Sequence, residues 1–337
     1  MKDIKYVIGR LFHMDYGAML KKINAIHKKT GMSRWKIFQD MKHCAVNYGA
    51  GYMDYDLFEM YNLTEEQRDT YLTRGRNNAL VKKYNDMSYG QCFLDKSAFN
   101  TRFGAYINRE WILIREDNRQ EVLDFLSRHD VFIAKPLDGC CGRGIEKLKT
   151  ADYGGPEGCL AHILSFGVPY ELEEVLVQHE AVSAIYPNSI NTVRTVTINH
   201  KGQVHLICTY FRIGNGGKHV DNFNNGGMVA PVDENTGIVK DRAIDKQKNL
   251  YEVHPMTGTP IKGFQFPYWE EAMEMAKKAA AEVPQMGYIG WDVAFTPNGP
   301  CLVEGNEFPG HDIYQLPQHT PDKIGMMGKF SFLNEEK

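Results

Sequence analysis

Residues 290–310 read GWDVAFTPNGPCLVEGNEFPG, and this stretch constrains the fold more than any other. Two short apolar runs, 291–295 and 301–305, flank Thr-Pro-Asn-Gly-Pro, a cluster of turn formers. The pattern predicts a β-hairpin centred near Asn298. In that register Asp292 lies opposite Glu304, and Asn306 shares their face because side chains alternate along a strand. Carboxylates placed opposite each other repel. A divalent cation removes the repulsion, and an all-oxygen set suits Mg²⁺ or Mn²⁺ better than Zn²⁺. A solvated sheet face fits the same residues if the register slips by one position, which turns every side chain over. The hairpin alone leaves both readings open.

Three further stretches carry candidate chemistry. In VFIAKPLDGCCGRGIEKL an apolar strand ends at Lys135, and a loop with Gly139, Gly142 and Gly144 follows. Glycines let backbone N–H groups approach an anion, and a strand-end lysine adds a point charge. A plain glycine-rich hairpin fits too, since neither a Walker A loop nor GxGxxG is present. In YELEEVLVQHEAVSAIYPNSINTVRTVTI, a strand with Glu173 and Glu174 runs into Leu176 and Glu180, and a later strand is entered through Asn191 and Arg194. In YFRIGNGGKHVDNFNNGGMVAPV, Arg212 ends a strand before a loop with His219, Asp221, Asn222, Asn225, Gly226 and Gly227. Loops so rich in Gly and Asn suit unusual backbone angles and exposed polar groups, in a binding site or in solvent.

The rest of the chain sets the frame. It has 337 residues, 43% hydrophobic and 24% charged, enough for two or three domains or subdomains. A net charge of -3 makes no general case for nucleic acid. No apolar stretch approaches a membrane span, and the first residues lack the apolar core of a secretory signal. The seven cysteines form no CxxC pair, so free thiols in a reducing cytoplasm are the simplest expectation. Residues 1–90 read as helical: Ile4, Val7, Ile8, Leu11, Leu20 and Ile23 recur at helical spacing, and Ser33 caps a helix with Trp35, Phe38 and Met41 along one side. The first fifty residues carry ten Lys or Arg against three Asp or Glu. That bias suits an anionic membrane surface, a phosphorylated partner, or docking on the acidic stretch 54–69. From about residue 95 the runs WILIR, VFIAK, VLVQH, TVRTVTI and VHLICTYFRI read as strands. Helices NRQEVLDFLSRH and EEAMEMAKKAAAEV interrupt them, the second ending at Pro284, so the core is α/β or α+β.

Taken in order, LDKSAF, AKPLDGCCGRGI, LEEVLVQHE, NTVRTVTI, FRIG, VDNFNNGG and GWDVAFTPNGPCLVEGNEFPG resemble the ATP-grasp superfamily. They are most similar to its sugar-transfer-associated branch, often linked to cell-surface polysaccharide synthesis. DMKHCAVNYGAGYMDYDLFEMYNLTEEQR resembles that branch as well. The resemblance implies an α+β ATP-grasp fold over residues 91–330 behind an N-terminal helical region, 1–90. A lid-bearing subdomain would span about 110–175 and a metal-binding subdomain about 176–330. Lys96 and Lys135 would contact ATP phosphates, with the Asp138–Gly144 loop as a lid in which Cys140 and Cys141 are small residues, not catalysts. Glu173, Glu174 and Leu176 would form the adenine-binding linker, and Glu180 or Asn191 would hold the ribose. Arg194 and Arg212 would steady the transferred phosphate or a substrate carboxylate. Asp292, Glu304 and Asn306 match the magnesium ligands. His219, Asp221, Asn222, Asn225 and Gly226 would line the substrate pocket, with His219 either a proton carrier or an ordinary loop histidine.

The implied reaction is an ADP-forming ligation: a carboxylate becomes an acyl phosphate and is joined to an amine, with substrates that are small and sugar-linked. A kinase that phosphorylates a sugar hydroxyl would use the same parts, and a non-catalytic binding module is the third class. The N-terminal helical region could cap the nucleotide domain, dimerise, or associate with a glycosyltransferase or a membrane surface, docking of its basic half on the acidic stretch being the favoured reading; nucleic acid is not an expected partner.

Overall fold

A computed structural model describes residues 15–137, 144–217, 221 and 223–334. Ile4, Val7, Ile8 and Leu11 lie outside the described residues. The chain divides into two compact units, one made of residues 1–83 with 310–337, the other of 84–309. The second boundary differs from the expected one at 330, and the reason is local. The Gln315 amide donates to the Leu72 carbonyl, while its oxygen accepts from the Leu72 N–H at 3.0 Å. His311 Nε2 hydrogen-bonds Asp54 Oδ1 at 2.8 Å. These buried polar contacts hold the C-terminal segment in the first unit.

That unit is helical: α1 (Tyr16–Thr30), α2 (Arg34–Tyr48), α3 (Tyr52–Leu57), α4 (Glu65–Asp69) and α5 (Arg74–Tyr84). Asp15 caps α1 and Ser33 caps α2, each accepting a hydrogen bond from a first-turn N–H. Gly31, at φ 75°, ends α1 in the left-handed conformation that glycine adopts without strain. The buried face of α2 is Ile37, Met41 and Cys44, not the expected Trp35, Phe38 and Met41. Trp35 is 69% exposed. Its neighbour Phe38 is only partly buried, and Leu20 of α1 is exposed beside the buried Ile23.

The second unit holds two antiparallel sheets. The smaller has strand order β1-β4-β2-β3: β1 (Trp111–Leu113), β2 (Val131–Pro136), β3 (Glu146–Lys149) and β4 (Tyr170–Glu174). The larger has order β11-β10-β5-β6-β7-β8-β9: β5 (Thr192–His200), β6 (Gln203–Ile213), β7 (Met228–Val232), β8 (Ala243–Asp245), β9 (Leu250–Tyr251), β10 (Tyr288–Thr296) and β11 (Gly299–Asn306). The helices of this unit are α6 (Gln91–Leu94), α7 (Lys96–Arg102), α8 (Gly104–Ile107), α9 (Arg119–Arg128), α10 (Pro156–Leu164), α11 (Glu180–Ile185) and α12 (Trp269–Glu282). The architecture is α+β, as expected. VLVQH is not a strand: the pairing ends at Glu174, and 175–179 run irregularly into α11.

Alternation sorts the side chains of each sheet. On the smaller sheet Phe132, Ala134 and Leu172 pack with Val122, Phe125, Leu160 and Ile163 of α9 and α10. Lys135, Glu171 and Glu173 therefore project from the opposite face. On the larger sheet Val193, Phe211, Trp291, Val293, Phe295 and Leu302 join the core beneath α12. Arg194, Arg212 and Asp292 take the other face.

Candidate functional site

The hairpin forms with Asp292 opposite Glu304 and Gly290 opposite Asn306. A strict period of two would put Leu302 and Glu304 on one face. The register shifts between Asp292 and Val293, whose partner is Leu302, so Val303 is the extra residue of a bulge. The bulge lets Leu302 enter the core while Glu304 faces Asp292.

Asp292 is buried and receives both arginines. Arg194 donates through Nε to Oδ1 and through Nη2 to Oδ2, the latter at 3.0 Å, and Arg212 Nη1 also donates to Oδ2. Arg212 Nη2 reaches Asp221 Oδ1 at 2.9 Å. Burial works to raise the Asp292 pKa, but the two guanidinium charges outweigh it and hold the carboxyl well below the usual range. Glu304 goes the other way. Its side chain reaches open space, yet the protein around its carboxyl, the Asp292 charge and a hydrogen bond to Asp292 push it up to about 7. Burial also raises Asp221, with Arg212 offsetting only part of the effect. Asn306 Nδ2 lies 3.4 Å from Glu304 Oε1 and from the Gly290 carbonyl.

This donor set fits a divalent cation. Two opposed carboxylates share a hydrogen bond that needs a proton, and a cation would replace that proton. Each carboxylate oxygen has lone pairs beyond those the arginines use. Among the described residues no group of three or more His, Cys, Asp or Glu is gathered for a metal, so the candidate set is two carboxylates and one amide. Magnesium is commonly held by one or two carboxylates together with phosphates and water.

The smaller sheet supplies a second charged cluster. Lys135 lies opposite Glu171 in the register, but its Nζ pairs with Glu173 Oε2 at 2.6 Å. Arg109 Nε donates to the same oxygen at 2.7 Å, and the Asn100 amide bridges Glu171 Oε1 at 3.0 Å and Glu173 Oε1 at 3.2 Å. Burial opposes ionisation of Glu173, yet Lys135 and Arg109 hold it ionised and well below the usual carboxylate range. Burial and the neighbouring Glu173 charge push Glu171 up to about 8, and its Oε2 is buried without a hydrogen bond. Lys96 donates to the Pro136 carbonyl at 3.0 Å. Its pKa is lowered by burial first and by Lys135 next, while Glu171, Glu304 and Glu173 pull it back up.

The structure separates the other expected residues. Glu174 turns away from Glu173, and its Oε2 accepts from the Glu110 N–H at 3.1 Å. Leu176 sits in the unpaired segment after β4, and Glu180 is an exposed residue in the first turn of α11. Asn191 is fully buried, and its amide donates to Gln178 Oε1 and the Tyr186 carbonyl while accepting from the Gly214 N–H. Gly144 has φ 77°, and Asn225 and Gly226 lie at the end of a short 3₁₀ turn. Gly142, Cys140, Cys141, His219 and Asn222 lie outside the described residues. Sequence reading missed Arg109, Asn100 and Glu171. Glu171 was findable, two residues before Glu173 on one strand face; Arg109 and Asn100 sit in no pattern that marks them.

No curated protein matches the sequence. Solved structures similar to it include the ATP-grasp ligase PsnB complexed with minimal precursor, Mg and ADP, at 17% identity and TM-score 0.38, covering 66% of this chain and 52% of that one. An ADP complex of purK, N5-carboxyaminoimidazole ribonucleotide synthetase, is similar at 13% identity and TM-score 0.40, covering 66% of this chain and 46% of that one. The D-alanine–D-alanine ligase from Bacillus anthracis is similar at 13% identity and TM-score 0.42, with 77% and 74% covered. The chain spans about half the length of the first two. The family described as sugar-transfer associated ATP-grasp matches residues 168–321. That matched segment carries Arg194, Arg212, Asp292, Glu304 and Asn306.

Proposed function

We propose that the chain is an ADP-forming ligase that activates a carboxylate with ATP and joins it to an amine. One observation carries the reading: two charge clusters, Lys135 with Glu173 and Arg194–Arg212 with Asp292, are joined by Arg109, which donates to Glu173 Oε2 at 2.7 Å and to the Leu302 carbonyl of the Asp292–Glu304 hairpin at 2.8 Å. A triphosphate and an attacking carboxylate repel each other, and bringing them together needs fixed positive charge. Lys96 and Lys135 would bind the phosphates. Arg194 and Arg212, held by Asp292 before substrate arrives, would turn toward the charge that develops on the transferred group.

Asp292, Glu304 and Asn306 would hold Mg²⁺, which would supply charge neutralisation for the phosphates. A substrate carboxylate oxygen forms a bond to the γ-phosphorus, and the bond to the ADP oxygen breaks. The amine then bonds to the acyl carbon, loses its proton, and inorganic phosphate leaves. The unpaired segment at Leu176 offers backbone groups to the adenine base, and Asp221 with Asn225 and Gly226 would border the substrate.

The family description supports sugar-linked acids as the first substrates to try, in cell-surface polysaccharide or peptide–glycan synthesis. The test is ADP release from Mg·ATP across panels of sugar acids, amino acids and amines, with each product weighed by mass spectrometry. A ligase yields inorganic phosphate and an amide. A phosphorylated sugar with no free phosphate would mean the kinase reading is correct instead.

A further inference from the structure

The helical unit has a surface that the proposed reaction does not use. On α2 the residues opposite the buried Ile37, Met41 and Cys44 are Trp35, Gln39, Lys42 and Val46. Trp35 is 69% exposed and Val46 43%, so two large apolar side chains stand in water on the outward stripe. On α1 the stripe opposite Met19, Ile23 and Ile26 holds Lys21 and Lys28, with the 55% exposed Leu20 at its side. Arg34 Nε donates to Asn24 Oδ1 at 2.6 Å and ties the start of α2 to α1.

Charge pairing divides the cations of this unit. Lys22 pairs with Asp56 and Lys29 with Glu59, and Arg68 pairs with Asp40. The acidic stretch is therefore used by inward or lateral cations. Lys21, Lys28, Lys36 and Lys42 have no acidic partner among the described residues, and all are exposed. A solvated helix face has no use for an exposed tryptophan among unpaired lysines. An amphipathic surface that meets an anionic interface does, because tryptophan settles at the headgroup level while lysines meet lipid phosphates.

We propose that the outward face of the α1–α2 hairpin docks on an anionic lipid surface. Among the described residues no helix is long and apolar enough to cross a membrane, so the attachment is peripheral. Each lysine near such a surface strengthens partition about fivefold. The attachment is independent of the reaction proposed above and is tested without it.

The test uses the full chain in co-sedimentation with phosphatidylcholine vesicles, with and without about one-third phosphatidylglycerol. Binding to the anionic vesicles alone is expected, weakening as salt is raised. Lys21→Gln combined with Lys28→Gln should weaken it about 25-fold. Trp35 emission should shift to the blue on the vesicles, a change missing from Trp35→Phe. These positions are exposed, so unfolding midpoints should not move. No binding to anionic vesicles at low salt would overturn the proposal, as would equal binding to neutral vesicles. So would binding indifferent to the lysine changes, or a concentration-dependent dimer that Trp35→Ser abolishes without any vesicle binding.

Discussion

Arg109 ties Glu173 to the hairpin that carries Glu304. Its Nε donates to Glu173 Oε2 at 2.7 Å, and its Nη1 donates to the Leu302 carbonyl at 2.8 Å, just before the bulge. One buried guanidinium thus fixes the Lys135–Glu173 cluster of the smaller sheet to the Asp292–Glu304 hairpin of the larger one. The bulge and this contact together aim Glu304 at Asp292.

Arg109→Leu should lower stability by about 3–5 kcal/mol, because it leaves the buried Glu173 with Lys135 as its one cation and strands the Leu302 carbonyl. Urea denaturation measures this. A loss under about 1 kcal/mol would mean the pair is dispensable.

Glu171 sets a pH dependence of stability. Its folded pKa of about 8 lies above an unfolded value of about 4.3, so the folded chain holds a proton that the unfolded chain releases. Stability from this residue is full at low pH and falls as pH rises toward about 8. Glu171→Gln keeps the shape and removes the titration. Its stability should vary less between these limits, and at alkaline pH it should exceed wild type. Parallel slopes in urea titrations across that range would contradict the assignment.

Gly214 is held on every side. Its N–H donates to Asn191 Oδ1 and its carbonyl accepts from His254 Nε2, both at 2.9 Å. A Cβ there would lie 2.2 Å from Ser189 Oγ and 2.5 Å from the Tyr186 ring. Gly214→Ala should destabilise by about 1–3 kcal/mol and disturb Arg212 two residues earlier. Thermal unfolding measures the first effect, and loss of ATP turnover exceeding the loss of folded protein measures the second.

Lys135→Ala and Asp292→Ala should differ. Without Lys135, Glu173 keeps Arg109, so the fold should survive while nucleotide binding weakens at least about tenfold, the effect of one charge-assisted hydrogen bond. Without Asp292, Arg194 and Arg212 lose their shared carboxylate in a buried setting, and stability should fall by about 3–5 kcal/mol along with activity. Circular dichroism melts beside binding assays separate the two outcomes.

The hairpin was legible because its turn residues are unambiguous; a centre at Asn298 pairs Asp292 with Glu304, whereas the turn itself closes with Thr296 opposite Gly299, and the extra residue of the bulge restores that pairing. The bulge at Val303 was not legible, since nothing in CLVEGN marks which residue is extra. VLVQH misled because β-branched residues favour a strand only where a partner strand waits, and none pairs beyond Glu174. On α2 the large apolar Trp35 and Phe38 dominate the sequence pattern, but Ile37, Met41 and Cys44 form the buried stripe, and a small cysteine gives a weak apolar signal. Asn191 is a ribose candidate through the family resemblance alone, since nothing local to an asparagine at a strand entrance tells a sugar partner from its own backbone. Arg109 acts through contacts more than sixty residues away in sequence, which no local pattern encodes.

Calorimetric titration of ATP into wild type and Glu304→Gln, with and without Mg²⁺, tests the central claim most directly. ATP should bind wild type tightly only with Mg²⁺, and this uptake should weaken as pH falls through about 7, where Glu304 takes up its proton. Glu304→Gln should lose the magnesium-dependent part. Nucleotide uptake that ignores the metal, or that the variant retains in full, would contradict a magnesium site on this hairpin.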